Sequence, residues 1–388
     1  MIRFGFALIA LSTALLHAQE VPKALPVDPS EITPNQGQVA EPAAPEVGEA
    51  KPLPPGEVKM PELKRNPRSD SPIDINHLPT GEDAVRLQIF LDEAHFGPGV
   101  IDGKPGRFTI LAVNSWNEVR GLPLNDFSAV MEAAKKAVPS PFATATVPSV
   151  AKKWVNPNLP SSRQEQAKLK RMSYRSYAEF MSERYHTDVE FLIELNSSST
   201  VWNLSPGKSL IVPNVSAFLI ENLNGGRYEA EELLAKRHVV VDTKINQARV
   251  YESEPTALVV EENADGTVKT VPNRALVASF PITPGQERFI KYGKWEMRNA
   301  VQLPVWRYDQ SLLDGKGRSN NALNIPGGPN CPVGVVWMGL SVSGIGMHGT
   351  SDPETIGRAR SAGCIRLSNW DAVTMTDFVR PGASVEIR

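Results

Sequence analysis

The sequence predicts a multidomain α+β protein that ends in a mostly-β domain. Three observations lead to this. The length of 388 residues suits two or three domains, at roughly 100–200 residues each. The middle of the chain carries two separate patches of helical apolar spacing. From His238 onward the pattern changes to short apolar runs broken by turn residues.

The N-terminus comes first. Arg3 supplies a positive charge, Phe4 to Leu16 is almost wholly apolar, and Ala18 is a small residue suited to cleavage. Residues 1–18 therefore read as a secretory signal peptide. The run falls short of the ~20 apolar residues that a spanning helix needs. An exported protein with no membrane span after cleavage is expected. Residues 19–75 hold twelve of the 33 prolines, mixed with Glu, Ala and Lys and without periodicity. They read as a disordered or polyproline-rich tether.

Residues 76–135 read as a small helical domain. Val85, Leu87, Phe90 and Leu91 share a helical face, a glycine-rich turn runs from Phe96 to Gly103, and Ile110, Val113 and Trp116 mark a second helix. Leu87-Gln88, Gly99-x-Ile101-Asp102-Gly103, Gly106, Thr109, Ala112 and Gly121-Leu122 resemble the three-helix peptidoglycan-binding domain. Residues 136–170 show no clear period and read as a linker.

Residues 171–216 read as a second unit. Phe180 to Tyr185 is helical, Thr187 with Glu190 suggests a capping box for a helix running to Leu195, and a turn at Pro206-Gly207 precedes a strand ending at Pro213. Glu194-Leu-Asn196 followed by Leu204-x-Pro-Gly-x-x-Leu-x-Val-Pro213 resembles a LysM module, a βααβ unit that binds glycan strands. Its first strand is not visible ahead of Tyr174.

Residues 237–388 make the mostly-β domain, with a sandwich or barrel expected. Candidate strands are His238–Asp242, Gln247 to Tyr251, Ala257 to Val260, Ala275 to Phe280, Val333 to Met338 and Ser384–Ile387. Asn263-Ala-Asp-Gly and Pro284-Gly285 are candidate turns, and one helix is expected near Asn369 to Val379.

Composition excludes several functions. A net charge of −2 offers no basic field for nucleic acid. Two cysteines, Cys331 and Cys364, exclude a disulfide framework and a cysteine-rich zinc site, and the six histidines show no metal spacing. No cofactor is expected.

The chemistry concentrates between Met347 and Leu367. A cysteine becomes a useful nucleophile when a nearby imidazole takes its proton. His348 lies sixteen positions before Cys364, within reach if two strand ends meet. Gly363 leaves room beside the sulfur for a substrate carbonyl and for a turn open only to glycine. The N–H groups of Gly363 and Cys364 could form an oxyanion hole. No acid or amide near His348 is an obvious orienter, so a backbone carbonyl, that of Gly349, is the candidate. Taken alone, a buried structural cysteine and a satisfied core histidine would be the commoner reading.

The full pattern is His348-Gly-Thr-x-x-Pro-x-x-Ile-Gly357, then Ser361-x-Gly-Cys-Ile-Arg-Leu-x-Asn369. It resembles the signature of the L,D-transpeptidases, and Pro284-Gly285, Gly328 to Gly334, Trp337 to Leu340 and Gly382 to Ile387 extend the likeness over the C-terminal domain. Ala362 stands where many members have a second His, and Cys331 where Asn is common. The resemblance implies Cys364 as nucleophile and His348 as general base, then acid. Arg366, Ser361, Thr350 and Trp337 are implied at the substrate. Arg366 is read either as a carboxylate ligand or as an ion pair with Asp371, while Asn369 and Asp371 are read as caps for the last helix.

The implied substrates are peptidoglycan stem peptides and glycan strands, in the periplasm or cell wall. The thiolate would attack the L-to-D bond of a tetrapeptide stem and release D-alanine. A diamino-acid amine on a second stem would then take the acyl group, forming a 3–3 cross-link. A carbapenem adduct on Cys364 is also implied. Water or a protein lysine as acceptor, a dead wall-binding protein, and a Cys331–Cys364 disulfide masking the nucleophile are the competing readings.

Overall fold

The computed structural model describes residues 50–58, 60, 78–262, 268–313, 316–358 and 363–388. The expected signal peptide, most of the proline-rich stretch, the candidate turn at 263–266 and Ser361 lie outside the described residues.

The first unit has three helices: α1 (Glu82–Glu93), α2 (Arg107–Glu118) and α3 (Ser128–Ala137). Helical spacing brings Leu87 and Leu91, Ala112, Val113 and Trp116, and Val130 and Ala134 into one small core. Glu82 and Asp83 occupy the first turn of α1, where negative charge complements free N–H groups. The glycine turn is closed by Gln88. Its Oε1 accepts from Gly103 N at 2.8 Å, and its Nε2 donates to Asp102 Oδ1 at 2.9 Å. Gly103 has a φ of 68°, a backbone that favours glycine.

The second unit is a three-stranded sheet of β1 (Lys51–Pro52), β2 (Phe142–Thr146) and β3 (Ser209–Pro213), in the order β1-β2-β3. Between β2 and β3 run α4 (Ala151–Trp154), α5 (Arg163–Gln166), α6 (Tyr177–Arg184), α7 (Val189–Asn196) and α8 (Ser198–Trp202). Residues 136–170, expected as a linker, thus contain a strand and two short helices. β2 pairs along its whole length with β3, from Phe142↔Pro213 to Thr146↔Ser209. Its sequence, Phe-Ala-Thr-Ala-Thr, has little intrinsic strand preference; burial of Phe142, Ala143 and Ala145 holds it. Part of the expected tether also docks here, with Leu53 N donating to Phe142 O at 2.9 Å and Val58 buried. The cap of α7 is Asp188, not Thr187. Its carboxylate accepts from Phe191 N at 2.6 Å, while Thr187 Oγ1 donates to Ile101 O at 2.7 Å. A carboxylate is the stronger acceptor at a positive helix end.

The third unit opens with α9 (Glu232–Ala235), then β4 (His238–Asp242), β5 (Gln247–Glu262), β6 (Val268–Pro281), β7 (Gly293–Gln302), β8 (Trp306–Tyr308), α10 (Gln310–Leu313) and β9 (Leu323–Ile325). It ends with β10 (Val336–Leu340), β11 (Gly346–His348), β12 (Ile365–Arg366), α11 (Asn369–Phe378) and β13 (Ser384–Ile387). Eight strands form one mixed sheet in the order β12-β11-β10-β7-β13-β4-β5-β6. A bridge between Thr283, just past β6, and Arg366 of β12 joins its two ends. The domain is therefore one sheet curled on itself rather than two facing sheets. Trp370, Ala372 and Met375 of α11 are buried in its core.

The helical unit covers the outer edge of β6. Gly97 N donates to Ser279 O at 2.8 Å, and Ser279 N donates to His95 O at 3.0 Å. An exposed strand edge is thereby capped. Among the described residues no helix is long and apolar enough to cross a membrane.

Candidate active site

β10, β11 and β12 lie side by side and present the site. Trp337 pairs with His348, and His348 pairs with Arg366 across the parallel β11–β12 ladder. Paired residues on adjacent strands share a face. Cys364 lies in the bend just before β12, two positions ahead of Arg366, which brings it to the end of the same parallel ladder. The sequence places these groups far apart; the ladder brings them together.

His348 is closely held. Its Nδ1 lies 2.6 Å from Gly349 O. A carbonyl only accepts, so Nδ1 carries the proton and Nε2 keeps its lone pair. Trp337 stacks on the imidazole with centroids 5.6 Å apart and planes 18° from parallel. Burial, aided by the Arg366 charge, pushes the imidazole pKa down to about 4. It is neutral at pH 7 and fit to act as a base.

Cys364 immediately precedes β12. It is partly exposed, and its Sγ lies 3.7 Å from Gly344 O. Burial pushes its thiol up to about 11, against the pull of the Gly346 backbone and Arg366. At neutral pH the resting pair is thiol and neutral imidazole, so the proton must move as the sulfur attacks. Cys331 forms no disulfide among the described residues, and burial pushes it up to about 12.

Several expected residues stand differently from the sequence reading. Gly363 is not in the left-handed region, and a Cβ there would meet Ile345 and Phe289 at 3.4 Å, an ordinary contact. The position closed to side chains is Gly285, where a Cβ would lie 2.5 Å from Gly363 Cα. Trp337 is fully buried beneath His348, so it supports the base rather than touching substrate. Thr350 is buried too, with its Oγ1 accepting from Asp352 N at 3.3 Å. Arg366 makes no ion pair with Asp371 among the described residues. Asp371 neighbours His186 and Asp92 instead, and Arg366 Nε is buried without a hydrogen-bond partner. The cap of α11 is Ser368, whose Oγ accepts from Asp371 N at 3.1 Å.

The sequence reading missed two residues that shape the site. Gly285 sets the approach of the Gly363 backbone. Asn369 is wholly buried against Gly349, where a Cβ would meet its Oδ1 at 2.1 Å. The Gly285 signal lay in Pro284-Gly285; Asn369 was read as a cap for the last helix.

Comparison with known proteins gives consistent matches. Residues 255–387 match the model of the L,D-transpeptidase catalytic domain. The putative L,D-transpeptidase YkuD of Bacillus subtilis is 42% identical over 59 residues, and that of Bacillus licheniformis is 44% identical over 59 residues. Each alignment covers 15% of this chain and 36% of the relative, so the chain spans about a third of the length of these relatives. A crystal structure of L,D-transpeptidase 1 from Mycobacterium tuberculosis aligns over 39% of this chain and 60% of its own, at 15% identity and a TM-score of 0.25.

Proposed function

We propose that the protein is a peptidoglycan L,D-transpeptidase working through a Cys364 thioester. The observation that carries this reading is the state of His348. Its Nδ1 is committed to Gly349 O, and its Nε2 is left as a base at the end of the ladder where Cys364 lies. That arrangement lies inside the segment matching the L,D-transpeptidase catalytic domain.

The reaction runs in two halves. As Sγ of Cys364 attacks the carbonyl of the L-to-D bond in a tetrapeptide stem, its proton passes to His348 Nε2. The tetrahedral oxyanion faces the N–H groups of Gly363 and Cys364. Collapse breaks the C–N bond, and the imidazolium gives its proton to departing D-alanine. A diamino-acid amine then attacks the thioester, loses a proton to His348, and releases the thiol as the cross-link forms. Gly349 O favours the imidazolium at each stage, since Nδ1–H donates to it throughout. The free Nε of Arg366 supports its role as ligand for a substrate carboxylate. The helical unit and the βααβ unit fit a role in holding wall polymer, and an exported location follows from that substrate.

Mass spectrometry tests the nucleophile. Incubation with a carbapenem should add one drug mass, mapped to the Cys364 peptide, and Cys364→Ala should add none while melting normally. An unmodified wild-type protein would sink the reading. Muropeptide tetrapeptides then identify the acceptor: dimers report cross-linking, tripeptides hydrolysis.

A further inference from the structure

The unit built on the β1-β2-β3 sheet grips the catalytic domain through two glutamates on one helix face. Glu179 and Glu183 stand four residues apart on α6, so they point the same way. Each receives a carboxamide from the catalytic domain. Asn330 Nδ2 donates to Glu179 Oε1 at 2.6 Å, and Asn369 Nδ2 donates to Glu183 Oε1 at 2.6 Å. The second contact leads to the base. Asn369 Oδ1 accepts from Val335 N at 3.1 Å and rests on two glycine backbones. A Cβ would meet this Oδ1 at 2.1 Å from Gly349 and at 2.3 Å from Gly334. Gly349 carries the carbonyl that fixes His348 Nδ1.

A carboxamide looks nearly the same after a flip, so its partners decide its orientation. Here Glu183 Oε1 accepts from the NH2 end on one side, and the Val335 N–H requires the oxygen on the other. Without the carboxylate, Nδ2 keeps only Pro329 O at 3.4 Å. The flipped amide would then press NH2 against Gly349, whose backbone has no slack. Glu183 is 5% exposed, and burying a carboxylate is costly unless it is engaged. Burial pushes Glu183 up to about 8, against hydrogen bonds from Tyr174 and Asn369. A stabilising core contact would not need such a group.

We propose that Glu183 is a positioning residue for His348, acting through the Asn369 amide and the Gly349 backbone, so that the unit built on the β1-β2-β3 sheet is part of the acyl-transfer machinery and not a detachable binding tag. The proposal rests on the reading of His348 and Cys364 as the working pair. Loss of a residue that orients a reacting group through intermediate contacts is expected to cost about 10–100-fold, as for outer-shell partners of metal ligands.

The test uses the full chain and the rate constant of carbapenem acylation at saturating drug. Glu183→Ala should lower that rate constant by about 10–100-fold with little change in apparent affinity. Glu183→Gln keeps an acceptor for Asn369 and should recover most of the loss. Glu183→Asp, which withdraws the carboxylate by one carbon, should fall between them and decides the matter if the alanine variant does not fold. Glu179→Ala is the interface control: it should lower the melting temperature and leave the rate per folded enzyme unchanged. A Glu183→Ala enzyme acylated as fast as Glu179→Ala would overturn the proposal. If the wild type takes no carbapenem, the assigned activity falls, and iodoacetamide alkylation of Cys364 judges the positioning claim instead. A rate for Glu183→Ala that drops toward that of His348→Ala supports it; an unchanged rate refutes it.

Discussion

His348 ends β11 and Cys364 lies just before β12, the neighbouring parallel strand, and their surroundings differ. The histidine has a carbonyl on Nδ1, an indole on its ring face and a buried carboxamide behind its backbone. The cysteine lies just before a two-residue strand, partly exposed, with Gly344 O at 3.7 Å from its sulfur. In the proposed mechanism the base is fixed before substrate arrives, and the nucleophile stays partly exposed. The difference matches the chemistry, because a base must hold one tautomer while a sulfur must approach a carbonyl and later release it.

The sharpest way to break this comparison is to remove the base. His348→Ala should slow acylation on the order of 10²–10⁴-fold, the usual worth of general acid–base catalysis. The pH profile sharpens it further. With the thiol pushed up to about 11 and the imidazole down to about 4, no standing ion pair exists at neutral pH. Below its pKa, the thiolate fraction grows about tenfold per pH unit. Iodoacetamide alkylation of Cys364 should therefore keep rising from about pH 6 to 9. A plateau beginning near pH 5 would mean a preformed thiolate–imidazolium pair and would contradict the resting state described above.

The next largest effect is expected on the nucleophile side, at Gly285. A Cβ there would lie 2.5 Å from Gly363 Cα and 2.9 Å from Gly363 O, so backbone must move. That backbone carries the proposed oxyanion donors. Gly285→Ala should cost about 1–3 kcal/mol of stability from overpacking. It should also lower the acylation rate by up to about 10²-fold, as misplacement of a reacting group by ~1 Å can do. Gly363→Ala, whose Cβ finds only ordinary contacts, should be the milder change. Stopped-flow acylation of both variants orders them; the reverse order would return the glycine requirement to Gly363.

Much of this was legible in the sequence, and the limits have physical causes. The helices α1, α2 and α11 and the strands β4 and β13 follow from periodicity, since each buries a regular apolar pattern. The orienting carbonyl of Gly349 was legible by elimination, because no acid or amide lay near His348 in the chain. The strand Phe142–Thr146 was not: its alanines carry almost no signal, and its partner lies over sixty residues away in β3. Asn369 was misread for a related reason. Its position before a helix suggests a cap, but Ser368 fills that role, and the partners of Asn369, among them Val335 N and Glu183, are distant in the chain. Local patterns report local bonds, and this site is assembled from distant ones.

The smallest expected effect tests whether the indole stack matters to the base. Trp337 is fully buried, and its Nε1 makes no hydrogen bond, so replacing it forfeits packing and no polar contact. Trp337→Phe keeps an aromatic face against the imidazole and leaves a small void. A loss of about 1–3 kcal/mol in stability is expected, with acylation changed only a few-fold. Trp337→Leu leaves a void of similar kind but removes the stacked ring. If the stack fixes the ring plane of His348, the leucine variant should acylate more slowly than the phenylalanine variant at equal fractions folded. Equal rates would mean that the Gly349 carbonyl alone orients the base, and that Trp337 serves the core.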